Sequence, residues 1–211
     1  MPSTRTYALA ASAVVAAGLS AGAWLALQPS GGDPFAPCRP NSVAVGGATV
    51  GGPFELVDYS GTTRTSAEII DKPTLIYFGY TYCPDICPVD VAVMGQAVDV
   101  LAESDVAVNS VFITIDPERD HGETLRDFVQ ASHPDMIGLT GSPENIDAAK
   151  QAFRVYGQKA ASDDPEYYLM DHSTYVYLMA PEVGFLEVFR RGVTPEQMAE
   201  KTACYADILE S

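Results

Sequence analysis

The chain has 211 residues, 47% of them hydrophobic, and a formal net charge of −16. That length suits one domain of ordinary size plus an appendage, long enough to bury a core without help from metals or disulfides, and the composition excludes disorder throughout. The acidic excess excludes nucleic acid as a partner and reads as a solvated surface that keeps a domain soluble.

Residues 7–27 (YALAASAVVAAGLSAGAWLAL) carry no charge. At 1.5 Å per residue they span about 30 Å, the thickness of a hydrocarbon core, and predict a transmembrane anchor. Arg5 is the only charged side chain before this run, so −17 lies after it. The positive-inside bias then leaves the short N-terminus in the cytoplasm and sends the rest across the membrane. A cleaved signal peptide is the rival, since Ala21, Gly22 and Ala23 form a small-residue site. The apolar run is longer than a usual signal core, which favours the anchor. Residues 28–47 begin with a stretch rich in Pro and Gly and read as a linker. Residues 48–211 are then the folded domain.

Within the domain, residues 54–58 and 62–65 flank Tyr59-Ser60-Gly61 and predict a hairpin. Residues 74–80 (TLIYFGY) are β-branched and aromatic, the mark of a buried strand. A helical apolar pattern follows over 89–103, then a strand over 106–115, a helix over 124–131 and a short strand over 136–139. Ser142-Pro143-Glu144 opens a helix reaching about residue 156, with Ser as cap and Pro at the first position. Strands over 174–179 and 185–189 pair across a turn. Thr194-Pro195-Glu196-Gln197 is a capping box that opens the last helix. The order predicts an α/β fold: a central sheet flanked by helices, with an N-terminal hairpin and an inserted α/β unit.

The chemistry concentrates after the buried strand, in Cys83-Pro84-Asp85-Ile86-Cys87-Pro88. Ligands of α/β sheets gather at the carboxyl ends of strands. Pro is tolerated only in the first turn of a helix, so the next helix is expected to start at Pro88 with Cys87 at its cap. Both thiols then feel the positive end of the helix dipole. Three residues separate the cysteines where disulfide oxidoreductases carry two, which leaves room for a third ligand. Two thiolates and an imidazole suit Cu(I), whereas a closed zinc site wants a fourth ligand. His172, just before the strand over 174–179, is the histidine placed to face the cysteine loop. His121 and His133 read as surface or helix-terminal residues, and Met94, Met170 and Met179 as core filling. Asp116 either orients His172 or Arg119, docks a partner or simply forms a turn. Asp171 either tunes His172 or, slightly favoured, is a solvated loop charge, and Asp85 either repels anionic thiols such as glutathione or helps cap the helix. Cys38 and Cys204 lie far from the pair in sequence. A bridge between them is expected, contributing about 4–5 kcal/mol in the chain-entropy model.

Residues 78–88 (FGYTYCPDICP) resemble the copper motif of the Sco/SenC family. Residues 112–120 (FITIDPERD) and 138–141 (GLTG) are similar to two further family blocks, and Asp171-His172-Ser173 to its histidine motif. The likeness runs in order from about residue 50 to 189. It departs from the commonest pattern in the extra Cys38 and Cys204, and at His121, where the family more often has a small polar residue. The resemblance implies a thioredoxin-like domain in which Cys83, Cys87 and His172 bind a copper ion, Cu(I) or Cu(II). It implies a metallochaperone serving the CuA site of apo subunit II of cytochrome c oxidase, with other copper chaperones or a thioredoxin-like reductant as further partners. It also implies a single-pass protein of the inner membrane with its domain in the periplasm. Two alternatives use the same residues: a thiol–disulfide reductase acting through Cys83 and Cys87, and a redox or copper sensor. No Pro lies between Tyr167 and Tyr177, where a thioredoxin carries one, which counts against a general oxidoreductase. Peroxiredoxin chemistry is excluded, because Tyr80 and Ile76 stand where that enzyme needs Thr and Pro.

Overall fold

The computed structural model of the protein describes residues 24, 33–39, 50–162, 164 and 167–211. The chain divides into two units, residues 1–40 and 41–211. In the first, Ala36–Cys38 form a 3₁₀ turn; Asp33 before it accepts from the Phe35 amide at 3.0 Å and pairs with Arg39 at 2.7 Å. The anchor predicted over 7–27 lies outside the described residues save for Trp24, as does most of the linker. Among the described residues no helix is long and apolar enough to cross a membrane.

The second unit is built on a seven-stranded sheet in the order β2-β1-β5-β4-β3-β8-β9. Its middle is parallel: β3 (Thr74–Gly79), β4 (Asn109–Thr114) and β5 (Ile137–Thr140). Antiparallel hairpins close both sides. On one side β1 (Glu55–Asp58) pairs with β5 and carries β2 (Thr63–Thr65). On the other, β8 (Val176–Ala180) pairs with β3 and carries β9 (Gly184–Phe189). A separate two-stranded ribbon joins β6 (Gly157–Lys159) to β7 (Met170–His172).

Strand β3 is buried on both faces, as its unbroken apolar run requires. Successive side chains point to opposite faces. Tyr77 turns toward α2 (Ile86–Glu103), where its hydroxyl donates to Asp90 at 3.1 Å. It also stacks on Phe112, its partner in β4, which in turn meets Phe128 of α3 (Gly122–Ser132). Phe78 turns the other way, to Phe153 of α4 (Pro143–Phe153), 5.2 Å between ring centroids. Helices therefore cover both faces. Tyr77, Phe78, Phe112 and Phe153, all buried, each contribute on the order of 2–3 kcal/mol by leaving water. Helix α5 (Pro195–Glu210) packs along α2, and its capping box is present: Thr194 accepts from the Gln197 amide and Gln197 returns to the Thr194 amide. A second capping box, Thr65 with Glu68, opens the short helix α1 (Ser66–Ile69), which the sequence pattern did not single out.

Among the boundaries that differ from expectation, two have a local cause. The strand predicted over 106–115 starts only at Asn109, because Asp105 adopts a left-handed φ of 58° and Val106 still bonds back to Leu101. Helix α2 starts at Ile86, not Pro88, with Asp85 at the cap position and no side-chain cap bond. Pro88 is tolerated there because the first turn of any helix leaves its amides without intrahelical partners.

Candidate metal centre

The sheet brings three remote segments to one end. Gly79 closes β3 beside Thr114 of β4, and the Ile115 amide bonds the Gly79 carbonyl at 2.8 Å, so the loops after both strands leave side by side. Strand β8 runs antiparallel to β3 with Val176 opposite Tyr77, so the segment entering β8 arrives at the same end. That segment holds His172, which is the last residue of β7.

The Sγ atoms of Cys83 and Cys87 and a ring nitrogen of His172 lie within 4.8 Å of one another, the one such cluster among the described residues. The early start of α2 puts Cys87 in its first turn. Its amide, free of intrahelical duty, donates to Cys83 Sγ at 3.3 Å. Cys87 Sγ lies 3.3 Å from His172 Nε2. His172 Nδ1 is 2.8 Å from the Ser173 carbonyl oxygen, which can only accept. Nδ1 therefore carries the proton, and Nε2 presents its lone pair to the thiols. A backbone carbonyl thus sets the tautomer. Asp171 is exposed and makes no hydrogen bond to the ring among the described residues.

The two thiols are unlike. Burial resists ionisation of Cys83, but amides of Cys87, Asp85 and Ile86 outweigh it and hold the thiol below its usual value. Burial dominates at Cys87, and the neighbouring Cys83 adds to it, so that thiol is pushed well up. Burial lowers the His172 imidazole, partly offset by the Ser173 carbonyl. Tyr77 and Tyr80 present edge-to-face contacts to the His172 ring, at 6.2 and 5.7 Å. Gly79 is a required small residue: a Cβ there would sit 3.0 Å from Cys87 Sγ and 2.8 Å from the Tyr77 ring.

The other sequence candidates fall elsewhere. His121 is exposed at the cap of α3. His133 ends that helix, 3.4 Å from Asp99. Met94 and Met179 are buried in the core. Asp116 is buried and held by Arg119 and the Tyr168 hydroxyl. Tyr168 carried no sequence signal, because it sits in a polar, irregular stretch where burial cannot be read from pattern. Cys83 and Cys87 are free thiols, and Cys38 and Cys204 are each disulfide-bonded.

A thioredoxin-like sheet with two thiols and an imidazole converging at the carboxyl end of its parallel strands defines a soft-metal or dithiol site. The chain belongs to the SCO1/SenC family, whose model matches residues 43–207. It is similar to Protein SenC of Rhodobacter capsulatus, 44% identical over 209 residues that cover 99% of this chain and 94% of that protein. It is also similar to Protein SCO1 homolog 1, mitochondrial, of Arabidopsis thaliana, 43% identical over 156 residues, but spans only 46% of that longer protein. Among solved structures, Arabidopsis thaliana ScoI with copper bound matches with a TM-score of 0.69 and 38% identity, covering 76% of this chain and 98% of that one.

Proposed function

We propose that this protein is a copper metallochaperone that takes up one copper ion as cargo on Cys83, Cys87 and His172 and passes it to the CuA site of apo subunit II of cytochrome c oxidase. The observation that carries the reading is the donor set itself: two sulfurs and an unprotonated Nε2 within 4.8 Å, with no carboxylate in the cluster. Soft thiolates with one imidazole favour copper over hard cations, and three donors leave a position open through which a recipient's ligands can attack. The copper-bound relative described above supports the same cargo. Residues 7–27 anchor the chain in the inner membrane, residues 28–47 tether it, and residues 48–211 work in the periplasm, where the recipient site is assembled.

Transfer proceeds by ligand exchange, and oxidation of Cys83 and Cys87 to a disulfide withdraws both thiolates, so redox state gates the cargo. The unlike thiols favour a second reading, a reductase that keeps the recipient's cysteines as thiols. A thiol held below its usual value beside a protonated one is the arrangement of a dithiol poised for exchange. Copper titration of the detergent-solubilised protein, compared with Cys83→Ala, Cys87→Ala and His172→Ala, separates the readings. All three substitutions are expected to weaken binding. Unchanged affinity in all three removes the site, and an effect of the cysteines alone favours the reductase.

A further inference from the structure

His172 is carried by a ribbon, β6–β7, that forms no strand pairing with the main sheet. At its base the Ser173 amide donates to the Tyr156 carbonyl at 2.9 Å, and the Tyr156 amide to Ser173 Oγ at 3.1 Å. A second attachment is Tyr168, in the loop between its strands. This residue is 5% exposed although Tyr167 and Leu169 on either side are 80% and 53% exposed. Its hydroxyl donates to Asp116 Oδ1 at 2.8 Å. Arg119 Cζ and Lys159 Nζ lie 3.5 and 3.4 Å from its ring centroid.

Arg119 joins this anchor to the cysteine loop. Its Nε donates to Asp116 Oδ2 at 2.6 Å, and its guanidinium lies 4.7 Å from the ring of Tyr82, the residue before Cys83. It also reaches to 6.0 Å from Tyr80, whose ring meets His172 edge to face. Its Nη2 is buried with no hydrogen-bond partner among the described residues, so aromatic faces, not acceptors, hold that end. The same turn ends in Asp120, which accepts from the Thr81 amide at 2.8 Å and from the Thr81 and Thr114 hydroxyls. One five-residue turn, 116–120, therefore grips both halves of the site through different members. Asp120 grips the cysteine half, Asp116 grips the histidine half through Tyr168, and Arg119 touches both.

We propose that Asp116, Arg119 and Tyr168 form a latch that sets His172 against the cysteine pair, so that opening it withdraws the imidazole while Cys83 and Cys87 stay in place. The three are positioning residues, since none contributes an atom to the Cys83–Cys87–His172 cluster. The proposal rests on the copper reading above and supplies a way for that site to drop from three donors to two at the moment of transfer.

The test is a double-mutant cycle on the full chain in detergent, with Cu(I) affinity measured against a competing chelator. Tyr168→Phe keeps the ring and removes the bond to Asp116, and Arg119→Gln removes the cation. Each is expected to weaken Cu(I) binding about tenfold, the scale of one hydrogen bond to a charged group. In the His172→Ala background Tyr168→Phe is expected to change it by less than about twofold, because the latch acts through the imidazole, whereas Arg119→Gln keeps the part of its effect that runs through Tyr82. Amide exchange on metal-free Tyr168→Phe gives the independent readout: faster exchange at 170–172 with 83–87 unchanged. Equal weakening in both backgrounds, or no weakening, overturns the latch. If His172→Ala alone leaves affinity intact, the copper reading fails, and exchange confined to 170–172 still decides whether the latch exists.

Discussion

Cys87 Sγ and His172 Nε2 stand 3.3 Å apart although 85 residues separate them in sequence. Nothing local brings them together. The contact depends on β3 and β8 lying antiparallel in one sheet, on α2 starting early enough to put Cys87 in its first turn, and on a small residue at the end of β3. The last condition is the easiest to break.

Gly79→Ala is expected to disturb the site more than the fold. The new Cβ would lie 3.0 Å from both Cys87 Sγ and the Phe112 ring, and 2.8 Å from Tyr77. The thiol is the movable neighbour, since both rings are packed in the core. Overpacking of this kind costs about 1–3 kcal/mol. Copper affinity is therefore expected to fall in a variant that still melts cooperatively. A variant with native affinity would show that Cys87 needs no such clearance.

Thiol reactivity follows from the unlike surroundings of the pair. Cys83 ionises below the usual thiol range and Cys87 above it. In reduced, metal-free protein at neutral pH, iodoacetamide is expected to label Cys83 at least about tenfold faster than Cys87, with peptide mass analysis locating the label. Between the lowered value of Cys83 and the ordinary thiol value of 9.0 the unfolded chain holds the extra proton, so this thiol makes the fold more stable as pH rises through that window. Above 9.0 Cys87 acts the other way, because the unfolded chain loses its proton first. Under denaturing, non-reducing conditions two thiols are expected to label, and four after reduction, since Cys38 and Cys204 are disulfide-bonded.

Where local chemistry decides, the sequence was legible. The capping box at Thr194, the buried strand TLIYFG and the terminal hairpin declare themselves through spacing and composition, and the structure has them within a few residues. The cysteine pair and His172 were legible through motif. The start of α2 was not, because Pro88 reads equally well at either of two early positions and only the Cys83 sulfur capping the Cys87 amide decides between them. The β6–β7 ribbon was not legible either. Its strands are three residues each, half-buried or exposed, and carry no period. Tyr168 is anchored by groups fifty residues away. Such contacts leave no trace in a single sequence.

Gly95→Ala tests the packing beneath the site. A Cβ at Gly95 would sit 2.6 Å from the Ser132 carbonyl oxygen and 3.1 Å from His133 Cβ, so α2 and α3 cross here at backbone contact. In an open helix this substitution would stabilise by up to about 1 kcal/mol. Here backbone must move, and a net loss of about 1–3 kcal/mol is expected from denaturant unfolding. A gain in stability would mean the two helices separate freely.

The imidazole supplies the last prediction. Burial holds His172 below the ordinary imidazole value of 6.5, so the metal-free fold keeps it neutral at a pH where the unfolded chain has already protonated it. The sign follows from linkage: between the lowered value and 6.5 the unfolded state binds more protons, so stability falls as pH drops through this window. Two measurements check it. A ring-proton NMR titration of the metal-free protein is expected to place the His172 midpoint below 6.5. Denaturant midpoints between neutral and mildly acidic pH are expected to fall less steeply in His172→Ala than in the parent. The same neutrality bears on cargo, because a lone pair already free on Nε2 needs no proton expelled before it meets copper. Copper affinity is therefore expected to pass pH 6.5 without a new proton being released, and to lose the histidine contribution only at lower pH. A titration midpoint at or above 6.5 would contradict the burial of the ring and, with it, the early supply of that lone pair.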